Sequence, residues 1–261
     1  MNNHDFRDKY RPRSFSEFVG NGIVINILSQ IVKSGRIPNG ILFHGPPGSG
    51  KTSLDFVLLK ALNCRNFSED LCGQCRNCLA FEDFYGNSDD LWIFHDCTKL
   101  NEKSLDEIFR KGFFAGASLE MVQDIHIFDE FDRAKDSLQS RLLSSLEMQK
   151  NRLLIFSLTD LKKIDEAFQQ RVTVLKTSRP EIEELVPWLK RICELEGIIV
   201  KGEDALRQLA VAADRLPRSC LSLLQKISYL GKPLTTSLVR EIAQDNTGRE
   251  DRGSRYRILS S

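Results

Sequence analysis

The sequence predicts an α/β fold with a parallel sheet, followed by a small all-helical domain. Three observations lead to this expectation. Residues 45–53 form a glycine-rich loop between a short apolar run and an amphipathic stretch. Further apolar runs then alternate with a helical stripe, which is typical of a doubly wound parallel sheet. Beyond residue 180 the apolar pattern is helical throughout.

The helices and the strand around the loop are predicted from the spacing of apolar residues and from the position of Gly35. We expect a helix over residues 23–34, because apolar residues recur there at helical spacing and Gly35 ends the run. Residues 41–43 (Ile-Leu-Phe) predict a buried strand that leads into the loop. The stretch after the loop, with apolar residues at 54, 57, 58 and 61, predicts a second helix.

Three more apolar runs predict parallel strands, at residues 91–94, 125–128 and 153–158. Residues 134–148 lie between the last two runs and carry a helical leucine stripe. That stripe is interpreted as core packing. Together these segments complete the expected α/β domain, which we assign to residues 1–178.

The second domain is assigned to residues 179–245. Its four expected helices are separated by glycine and proline, and they cover residues 181–196, 203–213, 217–230 and 234–244. The charged tail at residues 246–261 is expected to be disordered.

Composition narrows the class of protein. The chain has 261 residues, 41% of them apolar and 28% charged, which is enough for two domains with cores of their own. Since no window approaches 18 uninterrupted apolar residues and the N-terminus has no signal-peptide core, we expect a cytoplasmic protein without a membrane span. The net charge of +1 neither supports nor excludes contact with DNA.

The loop at residues 45–53 reads Gly-Pro-Pro-Gly-Ser-Gly-Lys-Thr-Ser and predicts a phosphate-binding site for ATP or GTP. Gly48 and Gly50 allow the backbone N–H groups to point inward at the positive end of a helix. Lys51 is expected to reach the β- and γ-phosphates, and the Thr52 hydroxyl to bind Mg²⁺. A chance match in a turn is disfavoured by the strand, loop and helix setting. The expected nucleotide contacts within the loop are Gly45, Gly48, Ser49, Gly50, Lys51, Thr52 and Ser53.

Four of the seven cysteines, Cys64, Cys72, Cys75 and Cys78, fall within fifteen residues. Two Cys-x-x-Cys steps that share Cys75 can bring thiolates to tetrahedral positions, and Cys64 completes a set that leaves no open ligand site. We therefore expect a structural Zn²⁺ in a module at residues 64–78. The alternative is a set of reduced thiols in a loop. The other cysteines, Cys97, Cys193 and Cys220, are expected to be small core residues.

Two acids follow the apolar run at 125–128, and they predict the second half of the nucleotide site. Asp129 and Glu130 would lie at the carboxyl edge of the sheet, where ligands of open α/β sheets bind. Asp129 is suited to hold Mg²⁺ and Glu130 to activate the attacking water. Acids at a solvated strand end are common, so the phosphate loop carries much of this assignment.

With these motifs in view, residues 6–245 resemble the ATPase subunits of bacterial sliding-clamp loaders, of the DNA polymerase III tau/gamma type, within the AAA+ class. The resemblance is carried by residues 9–15 (Lys-Tyr-Arg-Pro-Arg-Ser-Phe), residues 34–38 (Ser-Gly-Arg-Ile-Pro), the phosphate loop, the cysteine module, Asp129-Glu130 and residues 142–147 (Leu-Leu-Ser-Ser-Leu-Glu). The cysteine insertion is the most discriminating feature. The resemblance implies an AAA+ core with a zinc-binding insertion and a helical lid.

The resemblance also implies roles for single residues. Tyr10, Arg11 and Pro12 match the segment that packs on adenine, which favours ATP over GTP. Thr159 matches the polar sensor of the γ-phosphate and the water, with Ser157 as its substitute. The arginine finger that reaches a neighbouring subunit's ATP is matched by Arg171. The lid arginine that senses the γ-phosphate is matched by Arg218.

Several departures from the family pattern bear on subunit contacts. The finger motif Ser-Arg-Cys reads Gln-Arg-Val at residues 170–172, and Leu-Glu-Glu-Pro-Pro reads Leu-Glu-Met-Gln-Lys at residues 146–150. The family's Gly-x-x-Arg motif around the lid arginine reads Asp-Arg-Leu-Pro-Arg at residues 214–218. The family's third, collar domain has no counterpart within the 261 residues, so the chain is expected to be either a truncated form or a collarless member.

The resemblance implies an ATPase that works with other loader subunits to place a sliding clamp on primed DNA. The alternative is a nucleotide-dependent switch or stator-like (delta-prime-like) subunit that contributes Arg171 to a neighbour and turns over little itself. A third possibility, nucleic-acid binding by the zinc module, is less favoured, because Glu69 and Asp70 offset the charges of Arg65 and Arg76.

Overall fold

The structure is a computed structural model that describes residues 5–83, 94–111, 124–148 and 152–244. The described residues divide into two compact units. Pro12–Ser178 form the first, which we call the α/β unit. The second, the helical unit, contains residues 179–244 together with residues 5–11.

The α/β unit is built on a five-stranded parallel sheet in the order β2-β3-β4-β1-β5. The strands are β1 (Gly40–His44), β2 (Phe94–Asp96), β3 (Asp124–Asp129), β4 (Arg152–Leu158) and β5 (Thr173–Lys176). Since all five run in one direction, their carboxyl ends lie at one edge of the sheet. The phosphate loop after β1, Asp129 at the end of β3 and Thr159 after β4 are therefore at the same edge.

The helices of this unit cover both faces of the sheet. They are α2 (Gly22–Ser34), α3 (Lys51–Leu62), α4 (Arg76–Asp83), α5 (Glu102–Lys111), α6 (Asp136–Met148) and the short α7 (Glu166–Gln169). One apolar cluster joins Ile41 and Phe43 of β1 to Leu54 and Leu58 of α3. The alternate residue of β1, Leu42, belongs to a second cluster on the opposite face. That cluster includes residues from β4 and α6: Leu154, Phe156, Leu138, Leu142 and Leu146.

The expected strands at 41–43, 125–128 and 153–158 are confirmed, each slightly extended. Of the expected strand at 91–94, only residue 94 lies among the described residues, and β2 continues from it to Asp96. Four elements of this unit were not predicted, namely α4, α5, α7 and β5. The expectation that Cys97 is a core residue is confirmed, because its side chain is buried.

The helical unit contains α1 (Phe6–Lys9), α8 (Ile182–Leu195), α9 (Glu203–Ala212), α10 (Pro217–Leu230) and α11 (236–244). Pro217 occupies the first turn of α10, where its missing N–H leaves no hydrogen bond unmade. Both Cys193 and Cys220 are buried, as expected. The tail at 246–261 lies outside the described residues.

The N-terminal segment differs from the expectation that residue 1 begins the α/β domain. Phe6 is buried, and its backbone N–H donates to Oε1 of Gln225 on α10 at 3.3 Å. The hydroxyl of Tyr10 donates to Glu196, and Lys9 forms an ion pair with the same carboxylate at 2.6 Å. These contacts explain why residues 5–11 belong to the helical unit. Within the described residues, no helix has the length and apolar character needed to cross a membrane.

Candidate nucleotide site and cysteine cluster

The phosphate loop follows β1 directly and ends at the first residue of α3. Gly48 and Gly50 both have positive φ, at 80° and 100°, the left-handed region that glycine adopts without strain. Gly50 is the N-cap of α3, so the loop turns into the positive end of a helix. The backbone N–H of Gly45 donates to the carbonyl of Leu158 at 3.3 Å, which fixes the start of the loop to the end of β4.

Lys51 lies across the loop. Its ammonium donates to the carbonyl of Gly45 at 2.8 Å and to that of Pro46 at 3.0 Å. The positively charged ammonium of Lys51 is therefore held against the backbone of the phosphate loop. That is the location in which it could meet phosphate oxygens.

Thr52 and Asp129 bring oxygen ligands together at the mouth of the loop. The Thr52 hydroxyl donates to Oδ2 of Asp129 at 3.3 Å, and Oδ1 of Asp129 accepts from the backbone N–H of Glu130 at 2.9 Å. Burial raises the pKa of Asp129, although the hydrogen bonds from Glu130 and Thr52 act in the opposite direction. A hydroxyl and a carboxylate are hard oxygen ligands that suit Mg²⁺, so this pair has the chemistry that a magnesium ion needs.

Glu130 is placed next to this pair in a left-handed backbone conformation, with φ of 53°. Its carboxylate forms an ion pair with Arg133 at 2.8 Å, and the side chain is about half exposed. An exposed pair of this kind is weak, so the carboxylate can be released at small cost. Glu130 is thus available to orient a water molecule at the sheet edge.

The two sensor candidates occupy different environments. Thr159 follows β4 and is exposed, immediately after Leu158, whose carbonyl accepts from Gly45. Ser157 is fully buried, and its hydroxyl donates to Oδ2 of Asp55 on α3 at 2.7 Å. Ser157 therefore joins β4 to α3 inside the core, and of the two candidates only Thr159 has a side chain that solvent reaches.

The two candidate arginines lie in different units. Arg171 in the α/β unit donates to Oε1 of Glu147 at 3.2 Å, and both side chains are about half exposed. Arg218 is in the first turn of α10, and its side chain is exposed.

The adenine candidates, residues 10–12, span the point in the sequence where the chain passes from the helical unit to the α/β unit. Burial raises the pKa of Tyr10, and its hydrogen bond to Glu196 acts in the same direction. Arg11 is the last residue of the N-terminal segment of the helical unit, and Pro12 is the first of the α/β unit.

The four cysteines of the module converge. The Sγ atoms of all four cysteines lie within 4.8 Å of one another. The Sγ atoms of Cys64 and Cys72 are 3.5 Å apart, and those of Cys72 and Cys78 are 3.9 Å apart. Tetrahedral zinc with bonds of about 2.3 Å places its sulfurs about 3.8 Å apart, so the set fits a Zn²⁺ ion.

Backbone N–H groups donate hydrogen bonds to three sulfurs of this cluster. The N–H groups of residues 72, 75 and 78 donate to the sulfurs of Cys64, Cys72 and Cys75, each at 3.4 Å. Burial alone would raise the pKa of Cys75, but the N–H of Cys78 and other hydrogen bonds lower it to about 6. The lowered pKa of Cys75 favours the thiolate, the form that binds a metal, whereas burial raises the pKa values of Cys64 and Cys78.

The acidic residues of the module anchor it to the rest of the α/β unit. The Asp70 carboxylate accepts from the backbone N–H groups of Phe15 and Ser16, at 3.1 and 2.8 Å. Glu69 pairs with Lys33 of α2 at 2.7 Å. Asp70 therefore has a structural role that sequence reasoning did not predict, whereas the exposed pair of Glu69 adds little.

Two site contacts were missed by sequence reasoning. Thr177 follows β5, and its hydroxyl lies 2.8 Å from that of Ser49 in the loop. Asn21 precedes α2, and its side chain contacts both Ser49 and Ser178. Neither residue belongs to a sequence motif, and the contacts depend on β5, which was itself not predicted.

Comparison with known proteins places this geometry in a family. The family model described as "DNA polymerase III, delta subunit" matches residues 20–180. The Arabidopsis thaliana protein STICHEL is 30% identical over 91% of the chain, and it matches over 19% of its own length. The DNA polymerase III subunit gamma/tau of Mycoplasma pneumoniae is 29% identical over 88% of the chain and 33% of its own length. The chain thus spans about a fifth of the length of the first of these two relatives and about a third of the second.

Among solved structures, the Thermotoga maritima RuvB Holliday junction branch migration motor has the same fold. Its TM-score is 0.64 at 18% identity, over 89% of this chain and 71% of that one. The resemblance shows the fold, an α/β core with a five-stranded parallel sheet. The match of the family model to more than half of the chain identifies it as a member of the DNA polymerase III delta-subunit family, and the chain is also similar to gamma/tau subunits of DNA polymerase III.

Proposed function

We propose that the chain binds Mg²⁺·ATP and hydrolyses it as a cytoplasmic clamp-loader subunit. The observation that carries the proposal is the meeting of Lys51, Thr52 and Asp129 at one edge of the sheet. This arrangement supplies a cation for the phosphates and two oxygen ligands for a magnesium ion.

The proposed reaction is attack of water on the γ-phosphorus. A new P–O bond forms to the water oxygen, the bond between the γ-phosphorus and the β,γ-bridging oxygen breaks, and ADP and phosphate leave. Glu130 would orient the water and accept its proton, while Lys51 stabilises charge on the phosphate oxygens. Mg²⁺ would neutralise charge between the β- and γ-phosphates when bound through Thr52 and Asp129.

The remaining site residues are proposed as sensors and as a contribution between subunits. Thr159 would contact the γ-phosphate or the water, and Arg218 would report the nucleotide to the helical unit. Tyr10, Arg11 and Pro12 would form the adenine contact. Arg171 would act in the ATP site of a neighbouring subunit, where an arginine finger contributes about 10³ to 10⁵ in rate.

We further propose that the partners are other loader subunits, a sliding clamp and, through the assembly, primed DNA. The gamma/tau relatives support this assignment. The four cysteines would hold a structural Zn²⁺ that stiffens a protein contact. The stator-like alternative is less well supported, because such subunits commonly have a degraded phosphate loop and this loop has all of its functional residues.

The test is ATP turnover per subunit over a wide range of protein concentration, with and without loader partners. A finger supplied by a neighbour predicts specific activity that rises with concentration or with added partner, and that collapses in Arg171→Ala. Tight ATP binding with near-zero turnover under every condition would instead favour the stator-like subunit.

A further inference from the structure

The phosphate loop rests on a residue at the end of the α/β unit. The Oγ atom of Ser49 and the Oγ1 atom of Thr177 are 2.8 Å apart, and the two side chains are 3% and 0% exposed. The backbone at Gly45 also lies close to Thr177. A Cβ atom at residue 45 would be 2.3 Å from both the carbonyl oxygen and the hydroxyl oxygen of Thr177. The loop is therefore packed against Thr177 and cannot move away from it without breaking a buried hydroxyl contact.

The two hydroxyls cannot satisfy all of their acceptors at once. Ser49 Oγ is also 2.8 Å from the carbonyl of Pro46, and Thr177 Oγ1 is 3.2 Å from the carbonyl of His44. Each hydroxyl has a single proton to donate. When Ser49 donates to Pro46, Thr177 must supply the proton between the hydroxyls. When Thr177 donates to His44, the proton between them comes from Ser49, and Pro46 loses its hydroxyl donor.

The choice between these orientations bears on Lys51. Its ammonium also donates to the carbonyl of Pro46, at 3.0 Å. If Lys51 turns to phosphate oxygens, Pro46 loses that donor, and the Ser49 hydroxyl can replace it. Ser49 is free to do so while Thr177 donates to it, so the Thr177 hydroxyl favours the arrangement in which Lys51 is released.

Asn21 extends the contact to the next residue of the chain. Its Oδ1 accepts from the backbone N–H of Ser178 at 2.8 Å. Its Nδ2 donates to the carbonyls of Ser49 and Ser178, each at 3.4 Å. We call Asn21, Ser49, Thr177 and Ser178 the loop clasp. Ser178 is the last residue of the α/β unit, and the polypeptide continues from it into the helical unit at Arg179.

We propose that the loop clasp couples nucleotide binding at the phosphate loop to the backbone at residues 177–178, with Thr177 as the positioning residue. This inference rests on the proposed function. A ligand that fixes the loop would order the backbone leading to Arg179. By reciprocity, disorder of the loop clasp would lower the affinity of the loop for the ligand.

The first measurement is Mg²⁺·ATP affinity in variants that change only the hydroxyl. Thr177→Val is nearly isosteric and removes the hydroxyl, and we expect it to raise Kd about tenfold. Thr177→Ser keeps the hydroxyl and should stay within about twofold of the wild type. Since Ser49 and Thr177 act as one pair, the double variant Ser49→Ala/Thr177→Val should bind no more weakly than the weaker single variant.

The second measurement is amide exchange at Ser178, whose N–H donates to Asn21. We expect ATP to slow this exchange several-fold in the wild type and to have much less effect in Thr177→Val. If Thr177 only supports the sheet, Thr177→Val will lower Tm and leave both Kd and the ATP-dependent exchange unchanged, which overturns the inference. A wild-type chain that binds no Mg²⁺·ATP overturns the proposed function as well, whereas equal binding by wild type and variant overturns the clasp alone.

Discussion

The hydroxyl of Thr52 and the carboxylate of Asp129 meet at 3.3 Å, which joins the first turn of α3 to the end of β3. The two residues are far apart in sequence and belong to separate motifs. Their contact makes one site out of the phosphate loop and the acidic strand end. It also predicts how that site responds to loss of a charge.

Asp129→Asn should remove activity and stabilise the fold. Burial raises the pKa of Asp129, so folding disfavours its ionised form, and a neutral side chain of the same shape should raise Tm near pH 7. Turnover should fall more than about a hundredfold, because Asn is a poor ligand for a magnesium ion. Thermal unfolding and ATPase assays check both effects. Asp136→Asn, in the first turn of α6, is the matched control, and full turnover in Asp129→Asn would contradict the assignment.

Stability should fall between neutral and mildly acidic pH because of a buried histidine pair. His95 and His126 contact each other at 3.0 Å on neighbouring strands, and burial, with a smaller effect of His126, lowers the pKa of His95 to about 3. Below a pKa of about 6.5 the unfolded chain takes up a proton that folded His95 does not. From about pH 7.5 to about pH 5 this costs about 2 kcal/mol of unfolding free energy.

Urea unfolding at the two pH values measures this loss. The carboxyl groups with lowered pKa values, such as Asp70 and Asp96, titrate at lower pH and do not contribute in this window. His95→Phe keeps an aromatic ring and removes the titrating group, so its profile should be flatter than that of the wild type. An equal slope in both proteins would show that His95 is not the cause.

Zinc removal should destabilise the cysteine module. The four sulfurs are close enough to share one ion, and closing such a site contributes to folding directly. We expect about one equivalent of Zn²⁺ per chain, a lower Tm after chelation, and recovery on adding Zn²⁺. Cys78→Ser should lose the metal, whereas Cys97→Ser, at a buried cysteine outside the cluster, should retain it. Purified protein that lacks zinc and does not take it up would favour reduced thiols.

Arg171→Ala should reduce turnover strongly and change the stability of the fold little. The pair with Glu147 is half exposed, so its loss should change unfolding free energy by less than about 1 kcal/mol. If Arg171 is the finger, turnover of the assembled protein should fall by about 10³ or more while ATP affinity is kept. Glu147→Gln tests the pair itself and should leave stability nearly unchanged. Wild-type turnover in the assembled Arg171→Ala variant would exclude this role.

Local pattern and motif predicted most of the fold but not the contacts between distant segments. Residues 153–158 are apolar except for Ser157, and β4 is accordingly a central strand with neighbours on both sides. β5 was missed because it is a four-residue edge strand, and of these residues only Leu175 is buried. Ser157 was considered a sensor because it lies near the strand end, whereas strand alternation and α3 direct its hydroxyl to Asp55.

The parts of the site that one continuous loop provides were predictable from the sequence. The contacts that depend on the order of strands in the sheet were not. The residues of the phosphate loop lie within nine positions of each other, so their geometry is local. Thr177 reaches Ser49 only because β5 pairs with β1, and His95 reaches His126 only through the pairing of β2 with β3. No pattern in the sequence specifies those pairings.

Calorimetric titration of Mg²⁺·ATP into the wild type and into Lys51→Ala tests whether the phosphate loop binds nucleotide. Lys190→Ala, at an exposed lysine of α8, controls for the loss of one positive charge. We predict saturable binding at one site per chain by the wild type and the control, weakened at least about a hundredfold in Lys51→Ala. No binding by the wild type, or equal affinity in Lys51→Ala, would contradict the account.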